Sequence, residues 1–164
     1  MEAIGEIRPD RRLAGDATGE YWLARDRNLD RDCLLRLHID AGDEAAEPIE
    51  LQRLRFIEAA RALASIDHAT VARVLDYGVG PDGRPYMVLP AYPRRLTERL
   101  ADPEPLDLKL AKQLIKELCT GLAVAHAQGV THGGLTPSAI FLCDRAPHVR
   151  LANFYGGIGN SDKA

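Results

Sequence analysis

The sequence predicts an α+β fold, because groups of short strands alternate with two amphipathic helices, and the strands within each group are joined by short turns. Three candidate strands, at residues 6–13, 20–25 and 33–39, are separated by polar turns, as expected for an antiparallel meander. The first helix is expected at residues 49–65, where apolar residues recur at helical spacing among charged neighbours. We therefore expect a sheet of antiparallel strands with a helix packed against it.

Further along the chain, the pattern predicts a second hairpin, a long helix and a final pair of strands. Strands are expected at residues 71–79 and 84–92, joined by a Pro-Asp-Gly turn in which glycine supplies the positive φ angle. Asp107 is a suitable N-cap for the strongest helix in the chain, and Gly129 is a suitable residue to end it. The loop of residues 132–139 then leads into short strands predicted at residues 140–143 and 148–154.

Composition restricts the class of protein. A chain of 164 residues with 46% hydrophobic content can form one compact domain or two small lobes. The formal net charge of −3 gives no strong field, so binding of nucleic acid is not indicated. We expect an intracellular, cytoplasmic protein without membrane contact, because no apolar leader or membrane-spanning stretch is present. The three cysteines are far apart and form no CxxC pair, so neither zinc nor a disulfide framework is indicated.

The order of these elements resembles a protein kinase of the bacterial Ser/Thr (Hanks-type) family. The resemblance covers about residues 6–157 and is carried by GEYWLARD, RDCLLRLHI, FIEAARALASIDHATVARVLDYG and GRPYMVLPAY. It implies a kinase-like small lobe at residues 1–92, with a five-stranded antiparallel sheet and a C-helix. A truncated, mainly helical large lobe is expected at residues 93–164, with a long helix, a degenerate catalytic loop and a short hairpin.

The resemblance assigns two residues to the nucleotide-binding part of the small lobe. Arg36 stands where the family has its nucleotide lysine, and Glu58 matches the glutamate of the C-helix. An ion pair between them is expected, and it is interpreted as structural rather than as a nucleotide clamp. Only Gly19 remains of the glycine-rich loop, since Ala14 and Asp16 replace the first two glycines.

In the catalytic loop, the residues that carry phosphoryl transfer in the family are replaced. Gly134 stands at the catalytic base, Thr136 at the phosphate-contacting lysine and Ala139 at the magnesium-binding asparagine. The family's Asp-Phe-Gly motif reads Asn153, Phe154, Tyr155. The resemblance therefore predicts a pseudokinase that is not an enzyme and that needs neither metal nor cofactor.

The long helix is the predicted interaction surface. The chain ends shortly after the metal motif, so we expect the large-lobe helices that cover this helix in the family to be absent. Its predicted contact stripe consists of Leu110, Leu114, Leu118 and Leu122. The partner is expected to be a kinase or a phosphopeptide-binding protein, or a second copy bound through residues 107–128. The predicted function is a scaffold or regulator in signalling; the alternative is a magnesium-independent nucleotide sensor or a weak atypical phosphotransferase.

Overall fold

The computed structural model describes residues 2–16, 19–40 and 48–154. The described residues within 1–61 and 74–91 form one compact unit, and the described residues within 62–73 and 92–164 form a second. Tyr155, the last residue of the Asn-Phe-Tyr motif, lies outside the described part of the chain, as do residues 17–18 and 41–47. Within the described part, no helix combines the length and apolar character needed to cross a bilayer.

The first unit is built on an antiparallel sheet in which the described strands take the order β1-β2-β3-β5-β4. The strands are β1 (Ile7–Asp16), β2 (Gly19–Asp26), β3 (Arg31–His38), β4 (Asp76–Val79) and β5 (Pro85–Pro90). The glycine-containing turn between β4 and β5 has the predicted positive φ, +79° at Gly83. The α+β class and the predicted five-stranded antiparallel sheet are therefore confirmed.

Strand β3 is buried on both faces, which explains its nearly continuous apolar sequence. One face contributes Cys33, Leu35 and Leu37 to a core shared with β1, β2 and β5. The opposite face contains Leu34, Arg36 and His38, all of which are buried. Helix α1 (Ile49–Ser65), whose predicted bounds are confirmed, supplies Phe56 against this second face.

The described residues of the second unit include helices α2 (Leu96–Leu100) and α3 (Leu108–Ala127) and a sheet of three strands. The strands are β6 (Arg94–Arg95), β7 (Ile140–Leu142) and β8 (Val149–Leu151), and the sheet order is β6-β7-β8. Asp107 is the N-cap of α3, as predicted, because its carboxylate accepts a hydrogen bond from the Leu110 amide at 3.1 Å. Gly129 follows the helix with φ +72°.

One local prediction was wrong, and two short elements were not predicted. The strand predicted at residues 71–79 exists only as β4, because its first part pairs with β8 instead: the Ala72 amide donates to the Leu151 carbonyl at 2.7 Å. The short β6 and α2 were not predicted at all. They are stabilised by polar contacts of Arg95 with Glu98, which apolar periodicity does not detect.

The apolar face of α3 is rotated from the predicted one. The residues of α3 that are buried are Leu114, Glu117, Gly121 and Ala125. Gly121 lies so close to the rest of the unit that an added Cβ would be 2.7 Å from Thr70 Oγ1 and 2.8 Å from Leu151 Cδ1. A glycine therefore sets the line of closest contact between α3 and β8, a position to which hydrophobic periodicity assigns no weight.

Candidate functional site

Arg36, the residue at the nucleotide-lysine position, is part of the core of the first unit. Its side chain is 1% exposed. The guanidinium carbon lies 5.0 Å from the ring centre of Phe56 and 5.7 Å from that of Tyr21. A planar, weakly hydrated guanidinium stacks on aromatic rings better than an ammonium does, so these rings favour arginine over lysine here.

Gly19 closes the space next to this guanidinium. A Cβ at Gly19 would lie 2.8 Å from the Leu37 carbonyl oxygen and 3.3 Å from both Nε and Nη2 of Arg36. The one glycine that remains from the family's loop is therefore required by close packing of β2 against β3. The backbone of Ala14 and Asp16 lies in β1, opposite Tyr21 and Gly19 in the register.

The predicted ion pair between Arg36 and Glu58 is absent from the described residues. Glu58 is exposed on α1, whereas the neighbouring Ala59 and Ala60 are buried. Consecutive helical residues differ by about 100° around the axis, so a shift of one position moves a side chain from the core to solvent. The buried face of α1 at this level consequently contains no carboxylate.

The same unit does contain an ion pair, between Arg53 of α1 and Asp40, which follows β3. The hydrogen bond from the Arg53 guanidinium holds the pKa of the Asp40 carboxyl below its usual range, although burial opposes this effect. His38 Nε2 lies 3.5 Å from the same carboxylate, and its ring packs edge-on against Phe56 at 5.6 Å. The contacts among Arg53, Asp40 and His38 were not predicted, because none of these residues belongs to a motif of the family.

His132, which begins the catalytic-loop match, is a packed residue of the second unit. Its Nε2 proton is donated to the Ala152 carbonyl at 2.9 Å, and its ring lies 4.7 Å from that of Phe154. Burial lowers the pKa of His132, and the hydrogen bond to Ala152 only partly offsets this effect. The imidazole is therefore neutral. Its hydrogen bond fixes the loop to Ala152, the residue that directly follows β8.

The four replaced positions differ in accessibility. Gly134 is half-buried, and Thr136 is exposed with its hydroxyl 2.8 Å from that of Ser138. Ala139 is buried, and its carbonyl accepts a hydrogen bond from the Ala152 amide at 2.9 Å. This bond joins the end of the catalytic-loop match to the residue before Asn153. Asn153 is buried in a left-handed conformation with φ +59°, which asparagine adopts more readily than most residues.

No group of three or more His, Cys, Asp or Glu side chains converges as a metal site within residues 2–16, 19–40 and 48–154. Asn153 and Ala139 supply one amide and one methyl group where the family places its magnesium ligands. Hard cations prefer carboxylate oxygen, so the described residues at these two positions do not fit magnesium.

Glu117 is the principal polar residue that sequence reasoning missed. Burial would raise the pKa of its carboxyl, but hydrogen bonds from Gln113 and from the side chain and amide of His148 lower it instead. The carboxylate accepts the amides of His148 and Val149 at 2.6 and 3.1 Å. It thereby joins α3 to the start of β8, and its helical spacing of four residues from Gln113 was the available signal.

The predicted interaction stripe is largely covered. Leu114 is 4% exposed, and its three companions are half-buried. They are Leu110, Leu118 and Leu122. The second apolar row of α3 is the accessible one, since Leu108 and Ile115 are 66% and 60% exposed and Cys119 is exposed beside them. Whether either row binds a partner stays a prediction.

The order and pairing of these elements are those of a protein kinase-like domain, with the fold of the bacterial Ser/Thr (Hanks-type) kinases. The chain matches the crystal structure of the Mycobacterium tuberculosis PknI kinase domain with a TM-score of 0.74 at 21% identity. The match covers 95% of this chain and 62% of that one. No family model matches the sequence.

Curated relatives are bacterial protein kinases. They include serine/threonine-protein kinase pkn2 of Myxococcus xanthus, 28% identical over 92% of this chain and 18% of the relative. The DNA damage-responsive serine/threonine-protein kinase RqkA of Deinococcus radiodurans is 30% identical over 80% of this chain and 19% of the relative. PknA of Mycobacterium tuberculosis is 29% identical over 92% and 35% respectively. The chain thus spans about a fifth to a third of the length of these relatives.

The comparisons correct one expectation. The chain was predicted not to be an enzyme, but the relatives that it matches are named as serine/threonine-protein kinases, which points to a class of enzymes. Replacement of motif residues was therefore an insufficient basis for that prediction.

Proposed function

We propose that this kinase-like chain acts in the cytoplasm as a protein-binding scaffold or regulator in Ser/Thr phosphorylation signalling. The observation that carries the proposal is the accessible apolar row of α3. Leu108 and Ile115 expose 66% and 60% of their surface. Together with the exposed Cys119 they form an apolar row on one side of the helix, and contiguous exposed apolar surface marks contact sites.

The other face of α3 explains why this row can serve as a rigid platform. Gly121 and the hydrogen-bonded Glu117 hold the helix against β8, and Leu114 is buried on the same side, so the exposed row keeps a fixed geometry. A preformed surface loses little conformational entropy on binding. We expect the partner to belong to the same signalling context, as a kinase or a phosphopeptide-binding protein.

Site-specific photo-crosslinking in cells tests this proposal. A photoreactive amino acid replaces Ile115 in one protein and Leu29 in the control, because Leu29 is equally exposed, at 60%, in the turn between β2 and β3. We expect a defined protein adduct from position 115 and none from position 29. The same partner should be lost from a pull-down with Ile115→Glu and retained with Leu29→Glu. Equal adducts from both positions would contradict the proposal.

A second candidate function is nucleotide binding or phosphoryl transfer, which the names of the relatives favour. Arg36 is the residue to vary in a test of this candidate, because it occupies the position of the family's nucleotide lysine. Thermal unfolding with ATP, with and without magnesium, and transfer of labelled phosphate to a general substrate are measured for wild type and Arg36→Met. An ATP-dependent rise in melting temperature, or transfer, that Arg36→Met abolishes would support this candidate.

A further inference from the structure

We propose that the exposed face of α3 binds an acidic amphipathic helix of a partner protein. This inference rests on the proposed function and adds the chemistry of the partner. The basic-apolar face is defined by six residues of α3: Leu108, Lys109, Lys112, Ile115, Lys116 and Cys119.

The face consists of two parallel rows. At 3.6 residues per turn, Leu108, Ile115 and Cys119 lie within about 40° of one another around the helix axis, and the three lysines lie within about 60° beside them. All six residues are exposed. An amphipathic helix has the matching pattern, with an apolar row next to a charged one.

The positive charge of the lysine row indicates that the partner's contact surface is negatively charged. Lys109, Lys112 and Lys116 are three of the four lysines in the sequence. In the described part of the chain, none of them forms an ion pair, and the one acid within α3, Glu117, is buried and bonded to His148 and Val149. The face therefore presents three uncompensated positive charges, which attract a row of carboxylates.

Small side chains extend the face towards the end of the helix. Thr120, Ala123 and Ala127 are exposed on the lysine side, one to three turns beyond the cations. Small residues let another helix approach closely at the point where its own side chains are large. The surface therefore accommodates a helix lying along α3 better than a loop or an extended strand.

The same features disfavour the other occupants. Two copies facing each other through this surface would bring six lysines together with no accessible acid of α3 to compensate them. A membrane surface would gain only Leu108 and Ile115 as large inserted groups, because the opposite side of the helix is held against β8. An acidic helix compensates the lysines and covers the apolar row at the same time.

Fluorescence anisotropy with designed peptides tests the inference. The probe is a helical peptide of roughly twenty residues with leucines at i, i+3, i+4 and i+7 and glutamates beside them. Its control carries lysine in place of each glutamate. We expect the acidic peptide to bind at least about tenfold tighter than the basic one, and this difference to shrink as salt is raised from about 50 to about 500 mM.

Charge-reversal variants locate the binding surface. The triple variant Lys109→Glu, Lys112→Glu and Lys116→Glu should bind the acidic peptide about tenfold more weakly. The matched control is Arg8→Glu, Arg11→Glu and Arg27→Glu, which makes the same change in net charge at exposed positions of the first unit. Its affinity should stay within about twofold of wild type.

Three outcomes would overturn the inference. They are equal affinity for both peptides, tighter binding to phosphatidylcholine vesicles that contain about a quarter phosphatidylserine than to the acidic peptide, and a dimer in sedimentation that Ile115→Glu dissociates. Crosslinking from position 115 separates this inference from the proposed function. An adduct with a segment that is not acidic and helical leaves the protein-binding role standing and refutes the acidic helix.

Discussion

At the scale of single residues, Arg36 shows how a position can keep its charge while its surroundings change. Its guanidinium lies over the rings of Tyr21 and Phe56, and no ion pair to Glu58 is formed. The sequence predicted the retained charge, because arginine is visible at the motif position. It did not predict the aromatic environment, because the contact requires three residues that are far apart in the chain.

This environment predicts a cost for the residue that the family uses. Arg36→Lys replaces a planar guanidinium by a strongly hydrated ammonium, so we expect the free energy of unfolding to fall by about 1–2 kcal/mol. Urea denaturation measures the change. Arg11→Lys, at an exposed position of β1, should change it by less than about 0.5 kcal/mol. A lysine variant as stable as wild type would show that the two rings contribute nothing specific to arginine.

His132 makes stability depend on pH. Its folded-state pKa is lowered by burial, so the folded protein binds fewer protons at this residue than the unfolded chain does. The contribution is fully present above the unfolded pKa of about 6.5 and is lost as pH falls through the folded value. We therefore expect wild type to lose more stability than His132→Gln between pH 7.5 and pH 5.5, as measured by urea denaturation. Parallel pH profiles would contradict this assignment.

At the scale of elements, α3 illustrates what periodicity can and cannot predict. Its bounds and N-cap followed from Asp107, Gly129 and the repeat of apolar residues. The buried line was misplaced, because Glu117 and Gly121 lie on it and neither residue is hydrophobic. Glutamate is buried there by hydrogen bonds and glycine by close approach, and both causes depend on β8 rather than on the helix.

The close approach at Gly121 predicts a large effect from a single methyl group. Gly121→Ala places a Cβ within 2.7 Å of Thr70 Oγ1 and 2.8 Å of Leu151 Cδ1, so α3 must shift. We expect the unfolding free energy to fall by about 1–3 kcal/mol, although alanine is the better helix former. Thermal or urea unfolding measures this.

The control is Thr120→Ala on the exposed side of the same helix, which should be neutral or slightly stabilising. If Gly121→Ala instead stabilised the protein by about 1 kcal/mol, helix propensity would outweigh packing at this contact.

At the scale of the whole molecule, the order of the elements was more informative than any one motif. The class, the first sheet and the long helix were predictable, because each leaves a periodic pattern in a continuous segment. The pairing of residues 70–72 with β8 was not, because it joins segments about eighty residues apart in sequence and replaces half of a predicted strand. The function was the least predictable, since the similarity to named kinases and the replaced motif residues point in different directions.

The uneven use of cations across the molecule has a practical consequence for chemical modification. Most of the basic residues in the sequence are arginines, and three of the four lysines, which carry the side-chain primary amines, lie on α3. An amine-reactive acylating reagent therefore reports on α3 without any engineered label. We expect acylation of Lys109, Lys112 and Lys116, quantified by peptide mass spectrometry, to slow when a partner occupies the helix. Enzymatic acetylation of the same amines would remove their charge, so the surface that attracts an acidic helix is also open to covalent control.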